Sequence, residues 1–152
     1  MNRKLIVLVI ALALFVGSFF VKAVTDAVGS SSATGIPGYL CAYFTLIFPW
    51  TREGLRSLQE HPLVYMAMLV SGWINPVFLT TIFLLVKKST THLGETLRIV
   101  LFLMFPACWI ILFEVRMRPH VGYFLWSAAM VLAVFSDLFS RENVVQEASG
   151  QR

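Results

Sequence analysis

Four stretches of this chain carry no charged side chain: Leu5–Val21, Leu63–Val86, Ile99–Phe113 and Val121–Ser136. All 12 basic and 8 acidic residues fall between and beyond them. A helix rises ~1.5 Å per residue, so ~20 apolar residues cross the ~30 Å hydrocarbon core of a bilayer. With their apolar flanks, the runs predict spans at Leu5–Ala23, Leu63–Val86, Ile99–Val115 and Val121–Phe139, with a polar tail at Arg141–Arg152. The expected fold is all-α: a single integral membrane domain of four transmembrane helices. The same charge pattern excludes a soluble globular enzyme and a disordered chain.

The net charge is +4, yet no basic run is longer than Lys87-Lys88. Lys and Arg gather at span ends, where they set orientation and meet lipid headgroups. That is not a nucleic-acid footprint, so the partners expected are the bilayer, other membrane subunits or further copies of the chain. The start, Asn2-Arg3-Lys4 before Leu5–Phe20, also fits a signal peptide, with Val21-Lys22-Ala23 as a small-residue cleavage site. The run is nearly long enough to span and reads better as an uncleaved first helix. Cys41 falls in the first loop and Cys108 in mid-span, a separation in depth that argues against a disulfide.

Between the first two spans, Thr25–Pro37 is rich in Ser and Gly and reads as a loop. Gly38–Trp50 turns apolar again but is too short to cross. Tyr39, Tyr43, Ile47 and Trp50 share one helical stripe, and Tyr and Trp favour headgroup depth. A helix in the outer interface, or a re-entrant dip, is expected. Thr51–His61 has amphipathic helical spacing, with Arg56 and Glu60 at i,i+4, and His61-Pro62 should end it. Seven basic residues lie on the side of Arg3-Lys4 and five on the other, which puts both termini inside.

Two groups of residues are candidate sites. Trp73, Asn75 and Pro76 sit at the middle of the second span and Pro106 at the middle of the third. Proline removes a helical hydrogen bond, and two helices broken at one depth can enclose a midplane cavity. The competing reading, and the favoured one, is two packing kinks with Asn75 bonding across helices. At the outer end, Glu114, Arg116, Arg118 and His120 cluster; Glu114 and Arg118 are spaced i,i+4 if helix continues to Pro119. These read as interfacial anchors or, alternatively, as a partner site. Asp137 has Arg141 one turn on and reads as a helix-end ion pair. His61 and His120 fall outside and His92 inside, so the three imidazoles do not meet at one metal. Ser71, Asn75 and Cys108 have no His for nucleophile activation. No catalytic residues, cofactor or metal are expected.

Three short motifs, Pro37-Gly38-Tyr39, Trp73-Ile74-Asn75-Pro76 and Gly122-Tyr123-Phe124-Leu125-Trp126, resemble a group of small bacterial four-span proteins of unknown function. That group has Pro-Gly-Trp where this chain has Tyr39. The resemblance implies a bacterial cytoplasmic membrane and no activity. The function expected is a non-enzymatic accessory or scaffold component of a membrane complex. The alternative is a small oligomeric transporter or channel with its site at Asn75, Pro76 and Pro106.

Overall fold

A computed structural model describes residues 3–26, 35–87, 91–114 and 116–138. Residues 27–34 of the Ser/Gly-rich stretch, and the tail with the Arg141 expected beside Asp137, lie outside these. Six helices follow in order: α1 Arg3–Phe20, α2 Gly38–Ile47, α3 Arg52–Glu60, α4 Pro62–Lys87, α5 Thr91–Glu114 and α6 Val121–Val134. Among the described residues α1, α4 and α5 are long and apolar enough to cross a membrane, and α6 is shorter.

The third apolar helix begins eight residues before the expected start at Ile99. Its first two turns hold His92, Glu95 and Arg98, polar residues that a hydropathy reading assigns to a connection. Arg98 can sit within the helix at this depth because Asp137 neutralises it. Its Nη1 donates to Asp137 Oδ2, and Lys4 Nζ lies 2.5 Å from Asp137 Oδ1. Both cations thus share one carboxylate, Arg98 through a hydrogen bond and Lys4 as an ion pair. Asp137 lies in the turn beyond α6, so this cluster ties the start of α1, the first turns of α5 and the end of α6 at one end of the bundle.

Proline interrupts neither long helix. Pro76 lies within α4 and Pro106 within α5. Four helices bury Leu8, Ala11 and Phe15 of α1, Ile74, Phe78 and Ile82 of α4, Leu101 of α5, and Ala129, Met130 and Ala133 of α6 in one core. Phe15 and Phe78 stack with ring centroids 4.5 Å apart and set α1 and α4 at the same level.

A three-stranded antiparallel sheet, unforeseen in the sequence, closes the other end. Strand β1 (Lys22–Asp26) follows α1 and lies between β2 (Ile36–Pro37) and β3 (Met117–Pro119). Val24 pairs with Ile36 on one side and Pro119 on the other. The first apolar run therefore ends as helix at Phe20, not Ala23. The helix of α5 ends at Glu114, and Arg116 turns the chain with a positive φ of 53°, a left-handed conformation uncommon outside glycine.

Helix α2 lies across the bundle. Gly38 abuts Ser18, where an added Cβ would lie 2.3 Å from its carbonyl oxygen, and Gly72 abuts Thr45 at 2.6 Å. Ser18 is three residues above the Phe15–Phe78 layer and Gly72 six above it, or ~4.5 and ~9 Å. A ten-residue helix ~15 Å long thus climbs only ~5 Å. Its Tyr39, Tyr43 and Ile47, and Trp50 beyond, are exposed, so the aromatic stripe faces away from the bundle. A 3₁₀ turn, Phe48–Trp50, leads to α3, whose start is capped by Thr51 accepting from Gly54 N at 3.0 Å. Arg56 donates to Glu60 at 3.0 Å on its exposed face.

Candidate functional site

Laying α2 against α1 and α4 leaves a space between it and the other two helices, α5 and α6. The cavity measures about 400 Å³, within the ~300–1,000 Å³ range of small-ligand sites. One wall is Cys41, Ala42, Phe44, Thr45 and Phe48 of α2 and its turn; opposite are Cys108, Ile111 and Leu112 of α5 with Gly122, Tyr123 and Trp126 of α6. Met68, Ser71, Ile74 and Asn75 of α4 form the back, and Ala23, Val24, Ile36 and Met117 of the sheet form the roof. No lining residue is charged.

The polar groups follow from helical spacing. Ser71 and Asn75 are one turn apart on α4, which brings both to the cavity face. Cys108 Sγ donates to Ser71 Oγ at 3.1 Å, and Trp126 Nε1 donates to Asn75 Oδ1 at 2.9 Å. An indole N–H only donates, so the Asn75 oxygen must face it and the amide nitrogen is left for another partner. Tyr123 is wedged edge-on against Trp109, with centroids 5.1 Å apart, and beside Trp126 at 5.5 Å. Its hydroxyl is buried with no hydrogen-bond partner among the described residues. The two cysteines are free thiols that share this cavity, so depth alone does not hold them apart.

Of the four midplane candidates, only Asn75 reaches the cavity. Trp73 is 54% exposed, and Pro76 and Pro106 are exposed as well, on faces turned away from it. Both prolines therefore sit where the bundle meets its surroundings. Sequence reasoning left Tyr123 and Trp126 as motif letters. The signal available was their spacing: residues three apart on one helix face.

The outer cluster does not assemble as a helical face. Glu114 ends α5, Arg116 is in the turn and Arg118 is exposed on β3, so the i,i+4 geometry expected for Glu114 and Arg118 is absent. Among the described residues no ion pair joins them. His120 is different: its Nε2 lies 3.1 Å from Thr25 Oγ1, and its backbone N–H donates to Ala23 O at 2.8 Å. It fastens the start of α6 to β1.

Compared with protein-family models, with characterised proteins and with solved structures, the chain matches none.

Proposed function

We propose that this chain crosses a membrane four times and serves as a non-enzymatic accessory component of a membrane complex, in a bacterial cytoplasmic membrane with both termini inside. The Lys4–Asp137 contact supports an even number of crossings, because it joins the beginning of the first apolar helix to the end of the last. Helix α6, at 14 residues, reaches only ~21 Å and needs the turn that follows to complete a crossing. Taking Lys87 as the inner boundary, Asn75 lies ~18 Å above it and the cavity fills the outer half of the hydrocarbon. Helix α2 then sinks roughly 10 Å below the outer boundary, the deep end of the ~5–10 Å range of interfacial helices.

The observation that carries the accessory reading is that the cavity is blind. Below Asn75, Phe15, Phe78, Leu101, Met130 and Ala133 are buried against one another, and a conduit needs a path there. Asn75 opening onto the cavity favours the second reading, a small transporter that opens in another conformation. Flux of small solutes into liposomes holding the purified protein separates the two. No flux above empty liposomes, together with co-purification of one membrane partner at fixed stoichiometry, is the expected result. Saturable flux lost in Asn75→Leu would reverse the order. Orientation is tested in a Cys41→Ala/Cys108→Ala background. Ser31→Cys and Arg118→Cys, the latter exposed on β3 and outside the cavity, should react with an impermeant maleimide in intact wall-stripped cells, and Ser149→Cys only after lysis.

A further inference from the structure

We infer that the cavity under α2 is a binding site for a neutral lipid-like molecule: one acyl-type chain with a single hydrogen-bond-accepting head. The inference rests on the membrane placement proposed above and not on the accessory role.

The hydrogen-bond inventory defines the head. Asn75 spends its oxygen on Trp126, and Ser71 Oγ accepts from Cys108. Of the cavity's lining residues, Tyr123 alone ends in a buried polar atom with no hydrogen-bond partner among the described residues, and the Asn75 amide nitrogen lies on the same side of the space. A buried donor without an acceptor is destabilising. An apolar cavity holds water only where several polar groups converge, and here they lie on one side of a space otherwise lined by hydrocarbon and aromatic rings. An ester or ketone carbonyl accepts from such a hydroxyl without being charged; an ammonium would have to give up its hydration in a lining that holds no carboxylate. With no charged residue in the lining, an ionised head would also be stranded.

The size and the walls define the rest. A volume of about 400 Å³ admits one chain of moderate length and excludes a whole two-chain phospholipid. Access is from the side: α2 packs on α1 and α4, while the cavity extends from α2 across to α5 and α6. A ligand dissolved in the outer leaflet would enter there.

The experiment uses the full chain in lipid nanodiscs and a fatty acid methyl ester with a mid-chain diazirine. After illumination, peptide mass spectrometry should locate the adducts on cavity residues of α2, α5 and α6. Methyl laurate should compete about three- to tenfold better than dodecane, the gain from one added hydrogen bond, and dodecylamine should compete worse than the ester. Tyr123→Phe should erase the ester's advantage over dodecane without changing competition by dodecane itself. Ala42→Phe, which fills the space from the α2 wall, should remove labelling. Adducts spread over the outward faces around Trp73, Phe83 and Phe113 would mean partitioning only and would overturn the inference. So would a cavity that takes no label, as a water-filled one would, or an ester preference that survives Tyr123→Phe. The maleimide pattern described above reports the membrane placement independently, so its failure and the failure of this site are distinguishable.

Discussion

The Trp126–Asn75 hydrogen bond joins α6 to α4 across the bundle at 2.9 Å, and its worth can be isolated. Asn75→Leu keeps the branched shape but removes the acceptor, leaving an indole N–H stranded among apolar groups. Trp126→Phe removes the donor and keeps an aromatic ring where Trp126 stacks on Phe105, centroids 6.0 Å apart. Interhelical hydrogen bonds in membranes average ~0.6 kcal/mol and reach ~2, while a stranded buried donor costs ~1–3 kcal/mol. Asn75→Leu should therefore destabilise by ~1–2 kcal/mol. The double variant should be less destabilised than the sum of the singles by ~0.6–1.7 kcal/mol. Reversible unfolding in mixed dodecyl maltoside–SDS micelles, followed by Trp fluorescence, measures all four corners of the cycle. Single effects that add within ~0.3 kcal/mol would refute the reasoning, because contacting partners of a real bond do not behave independently.

Other expectations follow from the same packing. Pro76→Ala and Pro106→Ala should change stability by less than ~1 kcal/mol, since both helices already run through these residues and both rings are exposed; a loss beyond ~3 kcal/mol in the same assay would show a structural kink. Gly72→Leu should destabilise by ~1–3 kcal/mol through overpacking against Thr45 and Leu46, and limited proteolysis should then cut near α2 first. Asp137→Asn should lower the thermal midpoint at pH 7. The amide cannot pair with both Arg98 and Lys4 as the carboxylate does, so two cations lose their counter-charge. An unchanged midpoint would rule out the ion cluster as a source of stability.

What the sequence disclosed was what local chemistry decides. Absence of charge located α1, α4 and α5, Pro62 opened α4 where expected, and the Tyr39 stripe marked the outward face of α2. What it concealed depends on distant partners. Lys22–Asp26 is too short and too polar to read as a strand, and its partner Met117–Pro119 lies on the far side of four helices. Arg98 reads as a span boundary until Asp137 is brought beside it. At the candidate site, Asn75 was legible as a polar residue among apolar ones, but the prolines drew attention to the wrong face of each helix. Which face of an almost wholly apolar helix turns inward is set by its neighbours, and the sequence pattern of such a helix carries little of that information.

The sheet also constrains the order in which the molecule can be built. Strand β1 emerges directly after the first helix, yet its longer ladder is with β3, and the start of α1 is held by Asp137 beyond α6. Helices α4 and α5 are sequence neighbours joined by a short connection and can pair as soon as both are inserted. The earliest segment made must wait for the latest before its start is secured and before β1, which can pair early with β2, is paired on both sides. Loop-closing contacts of this span are the slow ones in folding. A chain halted after Glu114 should therefore carry a formed α4–α5 hairpin beside an undocked first helix, with Lys22–Asp26 open to protease. Release of the last helix would be the event that locks both ends at once, and protection of Lys22–Asp26 before Pro119 is synthesised would contradict this sequence of assembly.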